Sequence, residues 1–264
     1  MGFRVSGRLL IYMSDNFLHG RIALVTGASK GLGKAMAIAL GGAGARLALV
    51  SRDVEKLNET AEAVRAAGSD AEIFQADVTD EAQVLKLEAD VSAKMGKIQI
   101  LINNAGVNVR NNITEFTLDD WNLVLGTNLT AVFLMCRAFV PHMKGTGYGR
   151  IINMTSIMSH ISLPGRGAYS SSKAGLLGLT RALALELATE GVTVVGISPG
   201  PFATEMNTAI MQNPEVNAQF LAAIPAGRWG KVEDIGKLAL FLCSEDASFI
   251  TGTDIVIDGG WCAR

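Results

Sequence analysis

The sequence predicts an α/β fold in one domain, a parallel sheet wound on both faces by helices. Two observations carry this. From Arg21 onward, short apolar blocks alternate with stretches of helical period. The first block then runs straight into a glycine-rich turn that opens a helix, "TGASKGLG" from Thr26 to Gly33. Strict strand–helix alternation favours parallel pairing, because each helix carries the chain back to the edge where the last strand began. No linker, repeat or low-complexity segment breaks the pattern.

Each element has its own signal. "RIALVTG" (21–27) is an apolar block ending in glycine, the mark of a strand buried on both faces. "LGKAMAIALGGAGA" follows with helical period and a glycine-rich stop. Strands are then expected at 46–51, 71–77, 98–106, 149–156, 192–200 and 254–260. Helices are expected at 54–67, 80–95, 118–142, 167–189 and 232–244, with 201–230 irregular apart from short helices. Residues 17–264 make the domain. Residues 1–16 form an N-terminal extension, whose first twelve carry Arg4 and Arg8 and no acid. They read as a poorly ordered extension or a start placed before Met13, with a weak targeting segment as the alternative.

Composition narrows the function classes. The 264 residues carry a net charge of −2 and no basic stripe, which argues against nucleic acid. No apolar run is expected to reach the roughly 18 residues that span a bilayer. Cys136, Cys243 and Cys262 are scattered and odd in number, so no disulfide framework is implied. A reducing, cytoplasmic compartment follows. No cysteine–histidine spacing suggests a metal site.

The glycine turn suits a dinucleotide. Gly27, Gly31 and Gly33 let the backbone turn tightly and approach a pyrophosphate, and the following helix N-terminus favours its charge. The cofactor type is read at the end of the second strand, "VSRD". Ser51 stands where an acid for the ribose 2′-hydroxyl is expected. Arg52 follows, and Lys30 lies in the glycine turn. Two cations near one phosphate favour NADP(H), while Asp53 leaves NAD possible.

A second short pattern is "AYSSSK" (168–173). On a helix Tyr169 and Lys173 share one face, one turn apart. A phenol with its ordinary pKa near ~10 is a poor proton donor at neutral pH. A neighbouring ammonium stabilises phenolate and is expected to lower that pKa.

These segments together resemble one family. "TGASKGLG", "NNAG" (103–106), "TN" (127–128), Ser156, "YSSSK" (169–173) and "SPGPFAT" (198–204) stand in the order and spacing of the short-chain dehydrogenases/reductases. The resemblance covers about 17–261. It implies a Rossmann-like sheet of seven parallel strands in the order 3-2-1-4-5-6-7, and a homotetramer built through the helices at 118–142 and 167–189. It implies that Gly27, Gly31 and Gly33 border the pyrophosphate, with Ser29, Lys30, Leu32, Ser51 and Arg52 also among the cofactor-binding residues. Asp77 and Val78 would meet the adenine. Asn104, Ala105 and Gly106 would line the nucleotide, and Pro199, Gly200 and Thr204 the nicotinamide end. Tyr169 would act as general acid or base, and Lys173 would tune it and bind the ribose. Ser156 would hold the substrate oxygen, and Asn128 would anchor a proton-relay water. Ser198 departs from the asparagine common before Pro-Gly.

Substrate is less legible. "NNAGVNVR", "ITEFTLDDWN", "SIMS", "TEMN" and "IPAGRWG" are similar to gluconate 5-dehydrogenases, which act on sugar acids and polyols. "TNLTAVF" and "ITGTDIVIDGG" are similar to 3-oxoacyl-acyl-carrier-protein reductases. Arg110, four residues past Gly106, is the candidate carboxylate clamp, and Arg166 is a second. Met158 and His160 follow Ser156 on the substrate side. Segment 201–225 is expected to be a lid. A non-catalytic nucleotide sensor on this fold is the reading from another class, opposed by the complete set Asn128, Ser156, Tyr169 and Lys173.

Overall fold

A computed structural model describes residues 16–263. The expectations for residues 1–15 lie outside the described residues. Asn16 already belongs to the fold, since its carbonyl accepts the His19 N–H at 3.0 Å in the turn that leads to the first strand.

Seven strands form one parallel sheet: β1 (Ile22–Thr26), β2 (Arg46–Ser51), β3 (Ala71–Gln75), β4 (Ile100–Asn103), β5 (Gly149–Met154), β6 (Val192–Pro199) and β7 (Asp254–Ile257). Their order is β3-β2-β1-β4-β5-β6-β7, as the resemblance implied. Leu24 lies opposite Ala48 on one side and Leu101 on the other, so β1 is the strand from which the winding reverses. Strands β1, β4 and β5 are buried along their whole length. That is why the sequence runs apolar there without alternation.

Helices cover both faces. α1 (Gly31–Gly42), α2 (Val54–Ala66) and α9 (Val232–Leu242) close one core, containing Val25, Met36, Leu40, Leu49, Leu57 and Ile235. α3 (Glu81–Lys94), α5 (Ala131–Phe139) and α6 (Gly167–Leu187) close the other, containing Leu24, Val84, Leu101, Met135, Phe139 and Leu176. α1 and α9 approach closely at Gly236, where a Cβ would lie 3.0 Å from the Ala35 carbonyl oxygen. α7 (Thr208–Met211) and α8 (Pro214–Ala223) stand above the strand ends.

Two expectations change here. The helix expected over 118–142 is one continuous run, but it carries a π-helical turn inside it: α4 (Leu118–Leu125) passes into Gly126–Thr130 before α5. The extra residue of that turn swings Asn128 into the interior, where it is fully buried. The same helical run, Leu118–His142, is also long and apolar enough to cross a membrane, with mean hydropathy 1.8 over 18 residues, contrary to expectation. Half of that stretch is buried within the fold.

Candidate active site

The carboxyl ends of the strands open into one cleft of about 500 Å³. It lies outside the point where the strand order reverses, the place such sheets offer a ligand.

At one end the wall is mostly backbone and short side chains: Gly27, Ser29, Lys30, Gly31, Leu32, Ser51, Arg52, Asp77 and Val78, with Asn104, Ala105 and Gly106 beyond. Gly27 and Gly31 have φ of +62° and +56°, which a residue with a Cβ rarely adopts. The turn is held by Thr26, whose hydroxyl oxygen accepts the N–H groups of Asn104 at 2.9 Å and Ala105 at 3.1 Å. Asn104 answers by donating its side-chain amide to the carbonyls of Thr26 and Gly27, each at 3.0 Å. Gly33 does not reach the cleft. A Cβ there would lie 2.3 Å from the Gly27 carbonyl oxygen, so this glycine serves to seat α1 against the turn.

A dinucleotide fits this end. α2, α3 and α4 are capped by the side chains of Asp53, Asp80 and Thr117. α1 alone among these four has no side-chain cap and no acid in its first turn. Its first N–H groups are open to an anion, and its dipole favours one. Nearby, the Ser51 hydroxyl donates to Ser29 Oγ at 3.2 Å, and Arg52 reaches Asp77 at 3.5 Å with its guanidinium mostly exposed. Asp53, the acid that could serve NAD, accepts the Lys56 N–H at 3.1 Å as the α2 cap.

The other end carries the reactive groups. Ser156 follows β5, its oxygen accepting the Met158 N–H at 3.2 Å. Tyr169 and Lys173 share a face of α6, with Lys173 Nζ 5.8 Å from the centre of the Tyr169 ring. The Lys173 ammonium donates to the Met154 carbonyl at 2.6 Å. Burial pulls its pKa down to about 8. The Tyr169 phenol differs from expectation. Burial raises its pKa above the ordinary value, against the lowering pull of a hydrogen bond with Ser156 and the charge of Arg166. Lys173 is turned toward the Met154 carbonyl, so its charge does not outweigh desolvation.

Asn128 stands behind the cleft. Its oxygen accepts the Val107 N–H at 2.8 Å, and its amide donates to the Val107 carbonyl at 2.9 Å and to Ser172 Oγ at 3.0 Å. It therefore ties the strand exit after β4 to α6 beside Lys173.

Pro199, Gly200, Thr204, Arg110, Met158 and Arg166 all line the cleft. His160 does not. Its Nε2 lies 2.6 Å from the Asp254 carboxylate of β7, which also accepts hydrogen bonds from Ser198 and, at 2.6 Å, from Thr155. That buried carboxylate draws the ring away from the substrate side. Arg110 and Arg166 are neighbours, and among the described residues neither has a carboxylate within ion-pair distance. Burial first, and then the Arg110 charge, lower the Arg166 pKa.

Sequence reasoning missed an aromatic wall. Phe220 of α8 stacks on Trp229 at 5.6 Å between ring centres and leans on Trp261 at 5.7 Å. All three line the cleft. Asn217 fixes Trp229 by accepting its indole N–H at 2.8 Å. The available signal was two tryptophans in otherwise loop-like segments, "AGRWG" and "GGWCAR".

The geometry can therefore do three things. It can hold a dinucleotide at an open helix terminus, present a phenol and a serine hydroxyl to one substrate atom, and offer beside them two cations without an ion pair among the described residues. A family model described as enoyl-(acyl carrier protein) reductase matches residues 27–262. Gluconate 5-dehydrogenase of Gluconobacter oxydans is 38% identical over 243 residues, 92% of this chain and 95% of that protein. The 3-oxoacyl-[acyl-carrier-protein] reductase of Staphylococcus aureus is 36% identical over 239 residues, 90% of this chain and 96% of that one. A crystal structure of a gluconate 5-dehydrogenase from Burkholderia cenocepacia, in complex with NADP and tartrate, superposes with a TM-score of 0.89 at 35% identity, covering 95% and 98% of the two chains. With residues 27–262 inside the family model and more than nine-tenths of the chain inside the matches to the gluconate 5-dehydrogenases, the chain belongs to the short-chain dehydrogenase/reductase family of oxidoreductases.

Proposed function

We propose that this oxidoreductase transfers hydride between NADP(H) and a small hydroxy or oxo acid, a sugar acid of the gluconate kind. The observation that carries the reading is the pair Arg110 and Arg166, unpaired among the described residues, in the same cleft as Ser156 and Tyr169. Two guanidiniums repel each other, and a carboxylate between them relieves that repulsion through bidentate hydrogen bonds. NADP(H) is favoured over NAD(H) by Ser51 in place of an acid and by the cations Arg52 and Lys30 at the same end. The relative solved with NADP and tartrate, a hydroxy acid, supports both halves of the reading.

Pro199, Gly200 and Thr204 would hold the nicotinamide end of the cofactor, which when bound would supply or accept the hydride. Ser156 donates to the substrate oxygen and holds it against Tyr169. Tyr169 gives that oxygen its proton in reduction and takes it back in oxidation. Burial keeps the phenol protonated, which favours the donor role until the site is loaded. Lys173 places a cation below the phenol, and Asn128 is a positioning residue that fixes α6 at this point.

A second reading is reduction of an oxoacyl thioester. It is favoured by the aromatic wall of Phe220, Trp229 and Trp261, which offers an acyl chain an apolar surface. One experiment separates them: NADPH oxidation with 5-ketogluconate, 2-ketogluconate, a simple diketone and an acetoacetyl thioester. Turnover of a keto acid, weakened when Arg110 becomes Ala, is the expected result. Preference for the thioester, unchanged by that substitution, overturns the sugar-acid reading.

We further propose a homotetramer. Leu123, Phe133 and Leu185 expose apolar surface on α4, α5 and α6. A monomer mass by light scattering refutes it.

A further inference from the structure

Lys30, one of the two cations assigned above to the 2′-phosphate, already has a partner. Lys30 donates from Nζ to Glu205 at 2.8 Å. Glu205 also lies 3.9 Å from Lys56 on α2. Glu205 opens the lid, in the turn Glu205–Asn207 that leads into α7. The contact therefore joins the glycine turn to the lid, 175 residues apart in sequence. Both side chains are more than half exposed, and both residues line the cleft. Lys56 and Asp53 are the other charged groups that act on this carboxylate.

We infer that Glu205 is a specificity-determining residue for the cofactor, an internal anion that occupies Lys30 until a 2′-phosphate displaces it. The inference rests on the NADP(H) reading. A cofactor with a 2′-phosphate competes with Glu205 for one ammonium, and a cofactor with a 2′-hydroxyl does not. The exchange has two consequences. Part of the phosphate's attraction is offset by the broken Lys30–Glu205 pair, so the preference for NADP(H) is smaller than two cations alone would give. The lid also loses its tie to the glycine turn only when the phosphate is present. Cofactor identity then reaches the substrate end of the cleft through one ion pair.

The test uses ligands that differ only in the phosphate: adenosine 2′,5′-bisphosphate and adenosine 5′-monophosphate, titrated by calorimetry against the full chain. In the parent, the bisphosphate binds tighter. Glu205→Gln tightens the bisphosphate about two- to fivefold, the range of an exposed ion pair, and leaves the monophosphate unchanged. In a Lys30→Gln background the same change has no effect. Amide exchange across 205–211 speeds up with the bisphosphate and not with the monophosphate. An equal gain for both ligands, or a gain that survives Lys30→Gln, overturns the inference while leaving the NADP(H) reading standing. A parent that does not distinguish the two ligands overturns both.

Discussion

The two ends of the cleft are built from different materials. The dinucleotide end is made mostly of backbone and short side chains at the exits of β1 to β4, with Lys30 and Arg52 as its long charged exceptions, packed on a buried sheet. The other end is made of long side chains, Arg110, Arg166, Phe220, Trp229 and Trp261, carried on loops, helix ends and α8. The first is rigid because its atoms are held by the sheet ladder and by the Thr26–Asn104 hydrogen bonds. The second takes its shape from side chains that face one another across segments far apart in sequence. A scaffold of the first kind accepts many versions of the second, which is how one fold serves many substrates.

The largest expected effect falls where the two ends meet. Tyr169→Phe removes the proton donor and keeps the ring. Turnover should fall at least about a hundredfold, with dinucleotide affinity changed less than about twofold. Comparable loss of both would mean that Tyr169 belongs to the dinucleotide end alone.

The next effect tests the rigid end. In Gly33→Ala the new Cβ would meet the Gly27 carbonyl oxygen at 2.3 Å and the Asn104 amide nitrogen at 2.5 Å. Backbone cannot yield as a side chain can, so we expect a loss of about 1–3 kcal/mol in stability and weaker dinucleotide binding. Unfolding in urea and a dinucleotide titration check this. An unperturbed variant would show that the turn is softer than its packing implies.

Lys173 tests the electrostatics of the junction. Its folded pKa is about 8 against an ordinary 10.5, because burial disfavours the ammonium. Below pH about 8 it is charged in both folded and unfolded chains, and the burial cost is fully present. Between about 8 and 10.5 the folded chain sheds the proton while the unfolded chain keeps it. The parent should therefore gain stability relative to Lys173→Met as pH rises through that window, by roughly 1–3 kcal/mol. The bond to Met154 weakens as the ammonium loses its proton, but that change is already contained in the folded pKa and does not reverse the slope. A difference that stays flat across the window would contradict the burial argument.

The smallest effect concerns His160. Its ring faces Asp254 and not the cleft, so His160→Ala should leave the substrate KM within about twofold. A larger rise would return His160 to the substrate end.

The same contrast explains what the sequence made legible. β1, β2 and the glycine turn stand where apolar runs and positive-φ glycines said they would, because local chemistry determines them. Asn128 was placed in a regular α-helix, because a π-helical turn leaves no local signal in "GTNLT". The direction of the Tyr169 shift was missed for a similar reason. Neighbours on a helix can be counted from sequence, but the depth of burial and the Met154 carbonyl that turns Lys173 aside cannot. The aromatic wall was invisible because Phe220, Trp229 and Trp261 meet only through the fold of the lid and the last turn.

The most direct test of the account is a comparison of substrates that differ in charge. Steady-state reduction of 5-ketogluconate and of an uncharged ketose of similar size would be measured with the parent and with Arg110→Ala/Arg166→Ala. The account expects kcat/KM for the keto acid to fall about tenfold or more in the variant, with little change for the uncharged ketose. Equal loss for both substrates, or none for either, would contradict the claim that the two arginines read a carboxylate.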